Sequence, residues 1–130
     1  MFMNFWKDKK NKLIEPDLFS VTAEKLAKKV AEDGSKTCNK RSQIRKFYDE
    51  VLNFSARVGK DPIEFEKMLP YLKMLNAKAA YAKGRGLISD SFKNFLLTAL
   101  QQVNDKDDFD VFSGLFEAFM GYYRLYRPSE

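Results

Sequence analysis

Phe109, Phe112, Phe116, Phe119, Tyr123 and Tyr126 recur with gaps of 3, 4, 3, 4 and 3 residues. Alternating threes and fours put all six on one stripe of an α-helix, whereas a strand would throw them to both faces. A stripe this aromatic needs a partner surface, so the rest of the chain must supply elements to cover it. The earlier segments repeat the helical period. Leu18, Val21, Leu26 and Val30, with alanines at 23, 27 and 31, predict a first helix that Asp17 or Ser20 caps and Asp33-Gly34-Ser35 ends. Ile44, Phe47, Val51, Phe54 and Val58 predict a second over about 40–58, capped by Thr37 or Asn39 and stopped at Gly59. Asp61-Pro62 opens a third, carried by Phe65, Met68, Leu69, Leu72, Leu75 and Ala79 to Lys83. Pro70 lies inside it, lacks an N–H and collides with the carbonyl four residues back, so a kink or break is expected there. Ser89 caps a fourth helix over about 90–104, and Asp107 or Asp108 opens a fifth that runs to about Tyr126. No stretch alternates with period two. The expected fold is all-α, a compact bundle of about five helices whose long central helix is kinked near Pro70. Residues 1–16 lack a clear period and read as a poorly defined lead-in, with 17–130 as a single helical domain.

The chain contains no histidine and one cysteine, Cys38. A Ser-His-Asp triad, a Cys-His dyad and a histidine general base are therefore impossible, and so are histidine-based zinc sites. One cysteine makes no internal disulfide, which fits a reducing cytoplasm. No apolar run approaches the ~20 residues that span a bilayer. The apolar start at Met1–Trp6 is short for a signal-peptide core, and Lys7, Lys9, Lys10 and Lys12 follow it instead of preceding it. The expected location is cytoplasmic, without a membrane partner. Asp107, Asp108 and Asp110 stand where acids cap and favour a helix start, and no glycine-punctuated calcium loop surrounds them. Gly84-Arg85-Gly86 is too short for a phosphate loop, and no strand precedes it. No cofactor, metal or catalytic set is expected, and the chain does not read as an enzyme.

Charge supplies the positive evidence. Residues 36–85 carry twelve basic and five acidic side chains, a net of +7, whereas residues 86–130 carry four basic and seven acidic, a net of −3. A basic middle points to a polyanion. Arg41, Arg45 and Tyr48 are spaced 4 and 3 and share a face of the second helix. On the third, Lys67, Lys78 and Arg85 fall within about 20° of one another, interleaved with Tyr71, Met74 and Tyr81. Lysine and arginine neutralise phosphates and tyrosine stacks on a base or sugar, the mixture that a single-stranded or backbone-tracking site uses. At the end of the aromatic stripe, Tyr122, Tyr123 and Tyr126 each need water or a partner for a hydroxyl, as at a surface or subunit contact.

Three stretches in series resemble the small subunit of the type III-A CRISPR effector, the Csm complex. Thr37-Cys-Asn-Lys-Arg-Ser-Gln-Ile-Arg-Lys-Phe-Tyr-Asp-Glu-Val51 is similar to the start of that family's second helix. Leu69-Pro-Tyr-Leu-Lys-Met-Leu-Asn-Ala-Lys-Ala-Ala-Tyr-Ala-Lys-Gly-Arg85 resembles its central helix, with Tyr-Leu-Lys and a closing Gly-Arg. Phe109-Asp-Val-Phe-Ser-Gly-Leu-Phe-Glu-Ala-Phe-Met-Gly-Tyr122 resembles its last helix. The resemblance covers residues 37–126, and residues 1–36 take no part in it. It implies an all-helical, non-catalytic subunit that stacks head to tail in a filament against the duplex of guide RNA and target RNA. Target cleavage would belong to the backbone subunits, and DNA cleavage and cyclic oligoadenylate synthesis to the large subunit. Arg45, Lys73 and Arg85 match the family's basic positions, with Arg41, Lys46, Lys78 and Lys83 as neighbours in RNA binding.

Two other readings compete. A helix-turn-helix regulator would place the basic helix bearing Arg41 and Arg45 in a DNA major groove. Its connection from Asp33 to Cys38 is long for a motif that uses three or four residues. A helical dimerisation adaptor would use the aromatic stripe of the last helix as its seam. Competition between duplex DNA and guide–target RNA separates the first two readings, and salt dependence separates both from the third.

Overall fold

The computed structural model describes residues 3–128. Met1 and Phe2 of the lead-in, and Ser129 and Glu130 at the end of the expected domain, lie outside the described residues. Six α-helices form the body: α1 Ala23–Glu32, α2 Arg41–Val58, α3 Pro62–Lys73, α4 Leu75–Gly84, α5 Asp90–Gln101 and α6 Lys106–Tyr126. They are the five expected helices, with the third divided. The interruption falls at Met74, one turn beyond Pro70. Pro70 gives no N–H to the ladder, and the chain recovers because its carbonyl accepts from Met74 N at 3.1 Å before the next helix starts. Asp61 accepts from Ile63 N at 3.0 Å and Ser89 from Phe92 N, so both expected caps form. Gly59, with φ 55° and ψ −131°, ends α2 in a conformation that is essentially glycine's alone.

α6 is the axis of the core. Phe109, Phe112, Phe116, Phe119 and Tyr123 are all fully buried. α1, α2 and the segment before α1 pack against this helix, and α4 packs on α5. The stripe from α6 meets Phe92 and Phe95 of α5 and Phe54 of α2, with Phe95 and Phe119 stacked at 5.0 Å between centroids. The first residue of α6 is Lys106, and Asp105 is its N-cap, accepting from Asp108 N at 2.8 Å. The expected opening at Asp107 or Asp108 is thus a residue or two late.

The entry to α1 also differs from expectation. Neither Asp17 nor Ser20 caps it. Leu18–Thr22 form a π-helical turn, with Thr22 N reaching Asp17 O at 3.0 Å. The wider turn carries an extra residue and shifts the apolar phase. Val21, expected inside, therefore faces solvent, and Phe19 lies across Gly114 of α6.

Within the aperiodic start, residues 3–16 add a small sheet to a fold read as wholly helical. β1 Trp6–Asp8 pairs antiparallel with β2 Leu13–Ile14 around a 3-10 turn. Met3 and Phe5 are buried in the core. The amide of Gln102 stands in for a neighbouring strand, accepting from Phe5 N at 3.0 Å and donating to Met3 O at 2.8 Å. Trp6 Nε1 donates to the buried Asp108 at 2.8 Å, and Lys9 pairs with Asp105 at 2.7 Å and Asp108 at 2.9 Å. Asp108, expected to serve only a helix start, therefore also anchors the ribbon, together with Asp105.

That anchor is sensitive to acid. Burial pushes the Asp105 carboxyl up, but the Lys9 ammonium and the Asp108 N–H outweigh it and hold the carboxyl below its ordinary value. A depressed acid stabilises the fold above its unfolded pKa, about 3.9, and loses that contribution as pH falls through the folded value. Lys9 is raised by its bonds to Asp105 and Asp108, so the alkaline side of the pair holds past the ordinary lysine range. Trp6 is the single tryptophan, so its emission reports the ribbon. Below about pH 4 its emission is expected to shift red before helical circular dichroism is lost. Lys9→Met should show the shift already at neutral pH. Emission that stays constant until global unfolding would mean that the ion pair does not hold the ribbon.

Candidate nucleic-acid interface

α2 faces the α3–α4 pair across an open groove. A consequence of the period is that Ile44, Phe47, Val51 and Phe54 turn inward, which leaves Lys46 and Glu50 on the groove side and Arg45 on the other flank. On α4 the same logic buries Leu75, Ala79 and Ala82 and turns Lys78, Tyr81 and Arg85 to the groove. Three of the seven expected RNA-binding residues, Lys46, Lys78 and Arg85, are therefore brought together.

Their commitments differ. Lys78 donates to both oxygens of Glu50, at 2.7 and 2.8 Å, a bridge across the middle of the groove. Arg85 lies 5.8 Å from the Tyr81 ring centroid, a cation–π distance. Among the described residues, Lys46, Lys73 and Arg85 have no carboxylate partner within 4.0 Å. Tyr81 and Tyr71 are 68% and 62% exposed, so both rings present most of their surface to solvent.

The other four candidates lie elsewhere. Arg41 Nη1 donates to the carbonyl of Arg127 at 3.2 Å and also reaches that of Pro128. Arg45 makes a long contact, 3.8 Å, with Asp49 one turn on, and both are solvated. Tyr48, on the same face, packs on Phe116 at 5.3 Å. Burial raises the pKa of its hydroxyl, and Glu117 adds to the effect. That flank leans on α6 and is separate from the groove. Lys83 points toward Asp90 of α5 at 3.9 Å. Lys73 sits half-buried at the end of α3, beside the break.

The sequence model of the Csm2 Type III-A family matches residues 15–129. The chain belongs to this family. It is a subunit of the type III-A CRISPR complex, in the class of the small structural subunit of the Csm complex. No curated protein and no solved structure matches the chain. The Csm2 match takes in the π-helical turn and all six helices, while β1 and β2 precede it.

The competing readings meet specific obstacles in this Csm2-family chain. Residues 33–40 separate α1 from α2, about twice the turn of a helix-turn-helix, and Arg41 is held by carbonyls. An adaptor built on the α6 stripe would need that stripe outside, and it is filled by the chain's own α5 and α2. Of the three terminal tyrosines, Tyr123 donates to the carbonyl of Asn39, and Tyr126 donates to Glu24 at 2.8 Å. Tyr122 is half-buried. No helix of the described residues is long and apolar enough to cross a membrane.

Sequence reasoning missed two groups here. Glu50 neutralises Lys78 from 28 residues away, and no local signal reports such a pairing. Asn39, expected as a cap for α2, caps nothing there: Lys40 is the N-cap residue, and the Asn39 side chain is turned into the core.

Proposed function

We propose that this chain is a non-catalytic filament subunit that lies along the guide RNA–target RNA duplex and grips its backbone without sequence preference. Family membership supports the complex, and the +7 charge of residues 36–85, folded largely into α2, α3 and α4, supports the polyanion. Lys46, Lys73 and Arg85, none with a carboxylate within 4.0 Å among the described residues and Arg85 beside only the Tyr81 ring, are the observation that carries the reading. Guides vary in sequence, so a subunit serving any guide must read phosphate and shape, not base edges. Arg45, Lys78 and Lys83 would join RNA contact by exchanging the carboxylates of Asp49, Glu50 and Asp90 for phosphate, with Arg41 as a neighbour. The net −3 of residues 86–130 complements the basic middle of another copy, which favours head-to-tail stacking.

Salt titration of binding tests this, with free protein and with the assembled complex, because avidity is lost when a filament subunit is isolated. Arg45→Ala and Lys73→Ala should each weaken unrelated RNA sequences by a similar factor and flatten the salt slope by roughly one unit. Suppose both variants keep their RNA affinity and instead disturb subunit stacking. The basic face is then a protein contact and the assignment fails.

A further inference from the structure

We infer that the Tyr81 end of the α2–α4 groove is a pocket for one unpaired nucleotide, with its base on the Tyr81 ring and its phosphate between Lys46 and Arg85. The inference rests on the RNA reading above and names the form of RNA that this groove takes. The groove has a volume of about 280 Å³ there. Its floor is apolar, made by Phe47, Leu75, Ala82 and Leu87. Lys46, Lys78 and Arg85 also line the groove, and Lys78 is bound to Glu50. Lys46 comes from α2 and Arg85 from the end of α4, so the two approach a bound group from opposite walls.

A duplex backbone can engage Lys46 and Arg85 but has no use for the rest of the site. Paired strands present phosphates and sugars outward and keep their bases stacked inside, so an apolar floor and a free ring gain nothing from them. An unpaired nucleotide offers both a π-face and a charge. Tyr81 has no ring neighbour and no hydrogen-bonded hydroxyl among the described residues, and its one contact of note is the Arg85 guanidinium at 5.8 Å. That guanidinium can remain against one side of the ring while a base covers the other, or shift to the phosphate. Glu50 closes the far side. Its bridge with Lys78 makes a neutral pair at mid-groove, which offers no net charge to a second phosphate and leaves the Tyr81 end, with Lys46 and Arg85, as the place for one.

The test uses a labelled 12-nucleotide RNA of mixed sequence, the same RNA annealed to its complement, and versions carrying one abasic position. Tyr81→Ala should weaken the single strand by about five- to 150-fold, the range for losing one stacked base, and leave the duplex unchanged. Tyr81→Phe keeps the ring and should bind as the parent does. An abasic site at the occupied position should remove the effect of Tyr81→Ala. Tyr81 is mostly solvated, so both variants should fold, and circular dichroism checks this. If Tyr81→Ala weakens neither form, or both equally, while Arg45→Ala still weakens RNA, the pocket is wrong and the RNA reading stands. If it alters association between subunits and not RNA, the groove is a protein contact and the pocket is wrong. If no RNA form binds, alone or in the complex, both inferences fall.

Discussion

Asn39→Ala should cost about 3–4 kcal/mol of folding stability and lower the melting temperature by about 10 °C. Asn39 is fully buried, and every polar group it has is used. Its Nδ2 donates to Val30 O at 2.9 Å and to Ser89 Oγ at 2.8 Å, and its Oδ1 accepts from Ser89 N at 2.8 Å. Its backbone donates to Leu87 O at 2.9 Å and accepts from the Tyr123 hydroxyl. One residue thus joins the end of α1, the start of α5 and the last turns of α6. Truncation strands these groups, at about 1–3 kcal/mol for each buried one left unpaired. The backbone adds a second penalty, because Asn39 has φ 61°, which asparagine tolerates and alanine resists by about 1 kcal/mol. Asn39→Gly removes only the side-chain part, so it should be about 1 kcal/mol milder than Asn39→Ala. Urea denaturation of the three proteins checks both numbers. A loss below about 1 kcal/mol for alanine would show that the hub is not needed.

Phe116→Ala should be comparably severe, at about 3–5 kcal/mol, and Phe116→Leu much less. Phe116 is fully buried at the middle of α6. Its ring lies within 5.3–6.2 Å of five others: Tyr48, Phe92, Phe95, Phe112 and Phe119. Three helices supply those rings, so the walls cannot close on the void without moving α2 and α5 in toward α6. Edge-on contacts, such as the one with Phe95 at 88°, add a geometric preference beyond area. A cavity of ring size with little relaxation accounts for the upper half of the range. Unfolding in urea should show a lower midpoint with an unchanged slope, and a lowered slope would signal a loosened native state instead.

The helices were legible because their burial is periodic and local. Ile44 to Val58 and Phe109 to Tyr123 each declare an inward face within a few turns, and Asp61-Pro62 and Ser89 declare starts. The ribbon was not, because what orders it is remote. Phe5 is buried by groups that include Gln102, and nothing within residues 3–16 encodes that pairing. The π-helical turn escaped for a related reason, since Leu18 and Val21 fit an ordinary helix until Thr22 bonds one residue further back. At the interface the composition named the cations but not their allegiance. Lys46, Lys78 and Arg85 converge only after α4 has been set against α2, and the partners of Lys78 and Arg41 come from other elements.

The ribbon's anchors have a consequence for the order of assembly. Phe5 reaches Gln102 across 97 residues and Trp6 reaches Asp108 across 102, while Asn39 waits for Tyr123 across 84. During translation Phe5 and Trp6 are made 97 and 102 residues before the partners that hold them. Throughout translation these apolar residues, with Leu26 and Val30, stay uncovered, and the closing entropy is recovered only when α6 is out. Helices α2 to α5 can form early from local contacts, so capture of both flanks by α6 should come after them. A nascent chain stalled before the 21-residue α6 would therefore be a strong client for chaperones, and should fail to supply folded subunit to the complex.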